Sequence, residues 1–388
     1  MRIAFNGLFL RRPDGTGRYS REMLRASAAL ETGTTAESRH DWHVIGVNEP
    51  NPLADCLSTP GQTSVHNLDS PMIVRGENLT KLWFEQRGVP SVVAHIKPDI
   101  VHYPYFAAPL AVTAPVVVTV HDVIPFILPE YRGSPAVRAY MQLQAVAARK
   151  ARLIITDSNT SRHDIVRHLG IPRQKVRVIP LGVGSEYRQS EANLIELMRK
   201  KHKLPERYIL YAGGLDIRKN VERLILAYAR ARASMGVKEP LVITGNPDRT
   251  GALFPPLRPI VDQLGLERHV RFVGTVPLDD LPALFSGSSL FVYPSRYEGF
   301  GLPVLEAMAC GVVVVCSSSS SVGEVAGDAA LTFEPDDEGA LAEALARGLQ
   351  DDELRVTLRA RGLAHATNFT WEKTAEATLR AYQDALGE

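Results

Sequence analysis

The sequence predicts an α/β protein made of two doubly wound domains. Three observations carry this. The chain has 388 residues, more than one ordinary core holds. Short Val- and Ile-rich runs alternate with amphipathic stretches, the pattern of a parallel sheet covered on both faces. That alternation pauses once, near residues 185–205, and restarts at similar scale.

Taken in order, RIAFNG near the start reads as a strand and GRYSREMLRASAAL as the helix after it. HVIGV, DIVHYP, PVVVTVHD and ARLIITDS are the next strands, with a helical stretch from Pro135 to Lys150 before the last of them. KVRVIPLGV closes the first series. Gly182 to Pro205 is polar and carries one helical segment, EANLIELMRKKH. The alternation resumes with YILYAGGLD, the helix NVERLILAYARARA, PLVITGN, a helix near Ile260–Leu264 and VRFVGTV. LPALFSGS, LFVYPS, VVVVCS, VGEVAG and AALTFEP follow. The tail from Trp371 to Leu386 is helical and amphipathic. The expected division is therefore 1–185, a linker at 186–205, and 206–370. The serine run Ser317–Ser321 is expected as a strand-to-helix loop.

Composition excludes several classes. Net charge is +1, so nothing marks the whole chain for nucleic acid. The first half carries a modest surplus of Lys and Arg and the second a surplus of Asp and Glu. That basic first half suits an anionic surface or substrate as well as it suits chance surface variation. Cys56, Cys310 and Cys316 are spaced as neither a metal set nor a disulfide framework, which fits a reducing compartment. The apolar run at the start is short, broken by Asn6, and precedes its arginines, so it reads as a strand and not as a signal peptide. No run reaches the roughly 20 apolar residues of a membrane span.

Two facing doubly wound sheets bind ligands at the carboxyl ends of their strands, and the cleft between domains is the expected site. One stretch there is informative. After the buried run LFVYPS comes YEGFGLPVLEAMACG. Pro303 suits a first helical turn. The amides of Gly299, Phe300, Gly301 and Leu302 then lie at a helix N-terminus, where unpaired donors and the dipole attract anions and hydroxyls. Glu298 sits in the loop and Glu306 one turn into the helix. A glutamate in the first turns of a helix is accounted for by the dipole alone. That account leaves Glu298 within EGFG unexplained.

EGFGLPVLEAMACG resembles the two-glutamate signature of the retaining glycosyltransferases of family 4, which have the GT-B fold. The likeness runs along nearly the whole chain. GTGRYSREML resembles the family's first glycine loop, VVVTVHDVIPFILPE its His-Asp segment, and YAGGLDIRKNVERLILAY its phosphate-binding lysine segment. DSNTSRHDIV and VRVIPLGV resemble the run into the linker, and VGEVAGDAAL the closing loop. The tail 371–388 resembles the helix that crosses back to the first domain.

The resemblance implies roles residue by residue. Glu298 would bind donor-sugar hydroxyls and Glu306 the nucleotide ribose. The amides of Phe300, Gly301 and Leu302 would touch sugar and diphosphate. Lys219 matches the lysine that neutralises the leaving diphosphate. Gly214 stands where the family often has an arginine, and Arg218 would be the candidate to take that arginine's part. His121, after the strand VVVTV, matches the histidine that contacts the transferred sugar. Gly15 and Gly17 would let backbone approach the diphosphate or acceptor. Arg18, Ser158 and Arg162 are acceptor-side candidates. Val273 and Gly274 would read the base.

The implied enzyme is retaining and needs neither cofactor nor metal, since Asp336-Asp337 and Asp351-Asp352 stand in no plausible metal loop. VIPLGV and GGLDIRKN resemble the mannosyltransferases of surface-polysaccharide assembly. The expected donor is GDP-mannose, with a UDP-sugar as the alternative. The acceptor is a glycan or lipid-linked glycan. A cytoplasmic protein is expected, in peripheral contact with the inner membrane surface through its first domain. Two readings of other classes are a nucleotide-sugar epimerase on the same fold and a non-catalytic sugar-binding subunit.

Overall fold

The computed structural model describes residues 1–31, 39–47, 63–72 and 76–387. Cys56 lies outside them. The chain divides into two compact units, Met1–Gly182 with Thr370–Glu388, and Val183–Phe369. Residues 186–205, expected as a linker, fall inside the second unit, where helix Ala192–Lys201 packs on helix Leu281–Gly287.

The first unit is a seven-stranded sheet of β1 (Arg2–Asn6), β2 (Asp41–Val47), β3 (Thr63–Leu68), β4 (Ile100–Tyr103), β5 (Val116–Thr119), β6 (Leu153–Thr156) and β7 (Val176–Val178). Their order is β3-β2-β1-β4-β5-β6-β7, and every pair is parallel. β4, β5 and β6 are buried along their whole length, which is why β5 and β6 read as near-continuous apolar runs and β4 is interrupted only by His102. The sequence reading missed β3. Its segment TSVHNL is half polar because it is an edge strand with exposed positions. It also missed helices Glu77–Trp83 and Val89–Ile96, which are joined by a π-turn at Phe84–Gly88.

Helix Trp371–Leu386 belongs to the first unit and lies on α1 (Gly15–Leu30). A buried polar chain fixes it: Tyr382 Oη meets His102 Nδ1 at 2.6 Å, His102 Nε2 meets Thr119 Oγ1 at 2.8 Å, and Tyr19 Oη meets that same hydroxyl at 3.1 Å. Burial pushes His102 down to about 3, so the neutral ring serves as one donor and one acceptor. Gly182 permits the close pass of this helix, because a Cβ there would come within 2.2 Å of the Trp371 nitrogen.

The second unit has six parallel strands, β8 (Ile209–Tyr211), β9 (Leu241–Ile243), β10 (Val270–Phe272), β11 (Leu290–Tyr293), β12 (Val314–Ser317) and β13 (Leu331–Phe333). Their order is β10-β9-β8-β11-β12-β13. In both sheets the winding reverses once, at β1/β4 and at β8/β11. Loops leaving the carboxyl ends of strands at such a reversal form a natural crevice. Helices Glu338–Gln350 and Asp352–Ala366 complete this unit. Among the described residues no helix is long and apolar enough to cross a membrane.

Candidate active site

The loops that leave β8 and β11 meet at the winding reversal of the second unit. From β8 the chain turns through Gly213 and Gly214 into a single 3-10 turn, Ile217–Lys219, which presents Arg218 and Lys219. From β11 it passes Ser295 and reaches Glu298. The two loops are joined by ion pairs. Lys219 Nζ lies 2.6 Å from Glu298 Oε1, and Arg218 Nη1 lies 2.6 Å from Oε2. Arg218 Nη1 also donates to the Tyr297 carbonyl at 2.8 Å.

Two hydroxyls complete the carboxylate's shell. Ser295 Oγ donates to Oε1 at 2.6 Å, and Tyr293 Oη does so at 3.0 Å. Lys219 Nζ in turn donates to Tyr293 Oη at 2.8 Å. Burial alone would raise the Glu298 carboxyl. The charges of Lys219 and then Arg218 outweigh it and hold the group at about 2. Burial works against the Arg218 guanidinium too, and Glu298 more than restores it, so Arg218 is raised. The result is a cluster in which Lys219 and Arg218 share the Glu298 carboxylate. Gly214 borders it: a Cβ there would stand 3.7 Å from Lys219 Cε and 3.1 Å from Asp216 Oδ2. Asp216 Oδ1 lies 3.6 Å from Arg218 Nε.

Downstream of Glu298, Gly301 takes φ +106°, a left-handed conformation open to glycine, and helix Leu302–Ala309 begins. No side chain caps it, so its first amides are left to other partners. Phe300 is packed at 5% exposure, edge-on to Phe369. Glu306 is buried at 4% in that helix. Glu298, Arg218, Lys219, Gly214, Phe300, Gly301, Leu302 and Glu306 are thus gathered on the two loops of the reversal and the helix they lead into. Val273 and Gly274 follow β10, two strands farther out. Their backbone is partly spent: Val273 N donates to Ile243 O at 3.0 Å, and Gly274 O accepts from Gly245 N at 2.7 Å.

The other predicted residues belong to the first unit. His121 follows β5, and the register Thr119↔Ile155 carried two residues onward sets it beside Asp157. His121 Nδ1 and Asp157 Oδ2 are 2.7 Å apart. The Tyr19 ring stands edge-on to the imidazole at 4.8 Å. Burial lowers the His121 pKa, but Asp157 outweighs burial and the net shift is upward. His121 Nε2 is buried and, among the described residues, has no partner of good hydrogen-bond geometry.

Gly17 has a structural cause. A Cβ there would come within 2.1 Å of the Arg12 carbonyl oxygen, so the glycine lets α1 press on its own preceding loop. Its amide is taken by the N-cap Asp14 at 2.9 Å. Gly15 faces open space, and Arg18 is half-buried on α1. Ser158 caps helix Asn159–Leu169, accepting from Ser161 N at 3.0 Å, and Arg162 turns to Asn159 Oδ1 at 2.5 Å.

Sequence reasoning missed Tyr293, Ser295 and Asp157. The first two had a signal, standing at and just past the end of a buried strand, whereas only the β5/β6 register brings the third beside His121. Among the described residues no group of three or more His, Cys, Asp or Glu is placed to hold a metal ion.

Residues 14–187 match the family described as Glycosyltransferase Family 4, and residues 195–365 match Glycosyl transferases group 1. The O-antigen chain mannosyltransferase B of Escherichia coli is 33% identical over 372 residues, spanning 95% of this chain and 96% of that protein. The serotype-specific mannosyltransferase WbdA of Escherichia coli is 31% identical over 76% of this chain but only 38% of its own length. Among solved structures, a sucrose-phosphate synthase from Thermosynechococcus elongatus superimposes with a TM-score of 0.73 at 20% identity, covering 100% of this chain and 99% of that one. HepE of Anabaena in complex with UDP-glucose gives 0.72 at 18% identity, covering 99% of this chain and 100% of that one. These likenesses identify the fold as GT-B.

Proposed function

The chain belongs to glycosyltransferase family 4 and is a glycosyltransferase, and on that premise we propose that it moves mannose from GDP-mannose to a glycan or lipid-linked glycan, with retention and without a metal. The observation that carries the reading is the Lys219–Glu298–Arg218 cluster at the winding reversal of the second unit. The sugar assignment is supported by the mannosyltransferase that shares 33% identity over 95% of the chain.

The chemistry asks little of the protein beyond charge and position. The bond between the sugar anomeric carbon and the β-phosphate oxygen breaks. The acceptor oxygen bonds that carbon on the same face, and its proton passes to the leaving phosphate oxygen. Lys219 and Arg218 meet the charge that grows on the diphosphate, in the role that fixed cations serve for a developing anion. Glu298 accepts from sugar hydroxyls, Glu306 from the ribose, and the amides at the start of helix Leu302–Ala309 take further oxygens. A lipid-linked acceptor would be met at the membrane surface.

The test incubates the purified chain with GDP-mannose, UDP-glucose and UDP-galactose, with and without a mannose-terminated acceptor, and each mixture is run without chelator, with EDTA, and with EDTA followed by excess manganese. Mannose transfer to the acceptor from GDP-mannose alone is the expected result. Transfer from a UDP-sugar instead would overturn the donor. A new sugar nucleotide formed without acceptor would indicate an epimerase. Activity lost in EDTA and regained with manganese would remove the metal-independent mechanism.

A further inference from the structure

We infer that the serine run Ser317–Ser321 is a positioning device for Glu298, with Ser320 held in a strained conformation to do it. The run is low in complexity, yet each hydroxyl has a definite partner. β11 and β12 are adjacent, with Tyr293 opposite Cys316, so the Glu298 loop and the serine run leave neighbouring strand ends side by side. Ser317 Oγ donates to the Ser295 carbonyl at 2.6 Å, and Ser319 Oγ to the Arg296 carbonyl at 3.1 Å. Ser321 Oγ donates to the Glu298 carbonyl at 2.7 Å, while Ser320 Oγ accepts from the Glu298 amide at 3.1 Å. Only Ser318 turns away, to the Phe333 carbonyl and to Glu334.

Both backbone groups of Glu298 are therefore held by consecutive serines. Its carboxylate is thereby aimed at Lys219 and Arg218. Serine is the residue that does this with least bulk. Ser317 ends β12 and Ser320 and Ser321 open helix Ser320–Ala326, so the loop expected over the whole run is only Ser318–Ser319. Ser317 and Ser321 are fully buried, and a Cβ at Gly323 would come within 2.2 Å of the Ser318 carbonyl oxygen, so this helix is pressed against the loop before it.

Ser320 has φ +55°. A non-glycine residue persists there only where its surroundings over-determine it, and such residues cluster at functional sites. Glycine would relieve the strain but lacks the acceptor oxygen. Asparagine tolerates the left-handed region and keeps an acceptor.

The inference rests on Glu298 being a donor-site residue, so the test separates the two ideas. The full chain is compared with Ser320→Gly, Ser320→Asn and Ser321→Ala by melting curve, by amide exchange of the segment 294–302, and by transfer kinetics. Ser320→Gly should melt at or above the wild-type temperature, exchange that segment faster, and lose turnover toward roughly a hundredfold, the scale of an ångström-level misplacement. Ser320→Asn should recover much of both. Ser321→Ala should speed exchange of the same segment, which guards against a Ser320 variant that refolds locally. Wild-type exchange rates in Ser320→Gly and Ser321→Ala, or an asparagine variant no better than glycine, overturn the inference. If the wild type transfers no sugar from any nucleotide donor, the functional reading fails, and the exchange rates still decide the positioning role.

Discussion

Lys219 and Glu298 form a 2.6 Å ion pair where β8 and β11 end, and the buried Tyr293 hydroxyl touches both partners. If Lys219 meets the donor diphosphate as proposed, the pair stores that cation on an internal carboxylate. Donor phosphate would then compete with Glu298 for Lys219 and Arg218, while the sugar competes for Glu298.

Replacing Glu298 with Gln leaves Lys219 facing a neutral amide and leaves Arg218 with only the Asp216 carboxylate, 3.6 Å from its Nε. Breaking a buried pair from one side costs up to about 3–5 kcal/mol, so the variant should melt well below the wild type at neutral pH. The carboxyl is depressed to about 2 in the folded chain, against roughly 4.3 unfolded. Its stabilisation is therefore complete above the unfolded value and lost as pH falls from there through about 2. The two melting curves should converge across that window. Guanosine diphosphate should bind the variant at least as tightly as the wild type, since Lys219 and the Glu298-facing side of Arg218 are released to it. Calorimetry that shows weaker binding would end the competition argument.

Lys219→Ala removes one cation from the developing charge. Turnover should fall by roughly a hundredfold or more, the scale seen when one electrostatic partner of a transition state is lost. Folding should suffer less, because Arg218, Ser295 and Tyr293 still satisfy Glu298. Steady-state rates beside melting curves check this. Near-normal turnover would remove Lys219 from the site.

Most of this site was legible in the sequence because its parts are local. Glu298, the glycines and Glu306 share one loop and helix, and Arg218 and Lys219 are adjacent. The alternation of Val-rich runs placed both loops at strand carboxyl ends. What was not legible is what crosses between segments. Tyr293 looked like one more apolar strand residue until Lys219 was found on its hydroxyl. Ser317–Ser321 read only as a strand-to-helix loop, because its partners lie in the neighbouring loop. Asp157 lies 36 positions from His121, and only the β5/β6 register joins them. β3 escaped because an edge strand with exposed positions does not alternate cleanly.

Asp157→Asn tests the His121 pair. Burial draws the imidazole down, and Asp157 reverses the shift to a raised pKa, with Asp122 adding to it and the Tyr19 ring packed alongside. A group raised on folding stabilises fully below its unfolded pKa of about 6.5, and that benefit is lost as pH rises through the folded value. The variant should lose stability below about pH 6.5, relative to wild type, and approach it at higher pH. Imidazole proton shifts followed by NMR should show His121 titrating lower in the variant. An unchanged titration would mean that Asp157 does not hold the charge.

Glu306→Gln separates a ligand role from a helix role. Glu306 is buried in helix Leu302–Ala309, which has no side-chain cap. If its carboxylate accepts from the ribose, the substitution removes a charge-assisted acceptor common to every nucleotide donor. Binding of guanosine diphosphate and of intact GDP-mannose should then weaken together, by roughly ten- to a hundredfold for a contact of about 1.5–3 kcal/mol. If the carboxylate serves only the helix dipole, about 0.3–1 kcal/mol of stability is lost and ligand binding is untouched. Calorimetry with the free diphosphate, set beside the melting curve, distinguishes these outcomes. Wild-type affinity for both ligands would leave the ribose to some other group at the mouth of this helix.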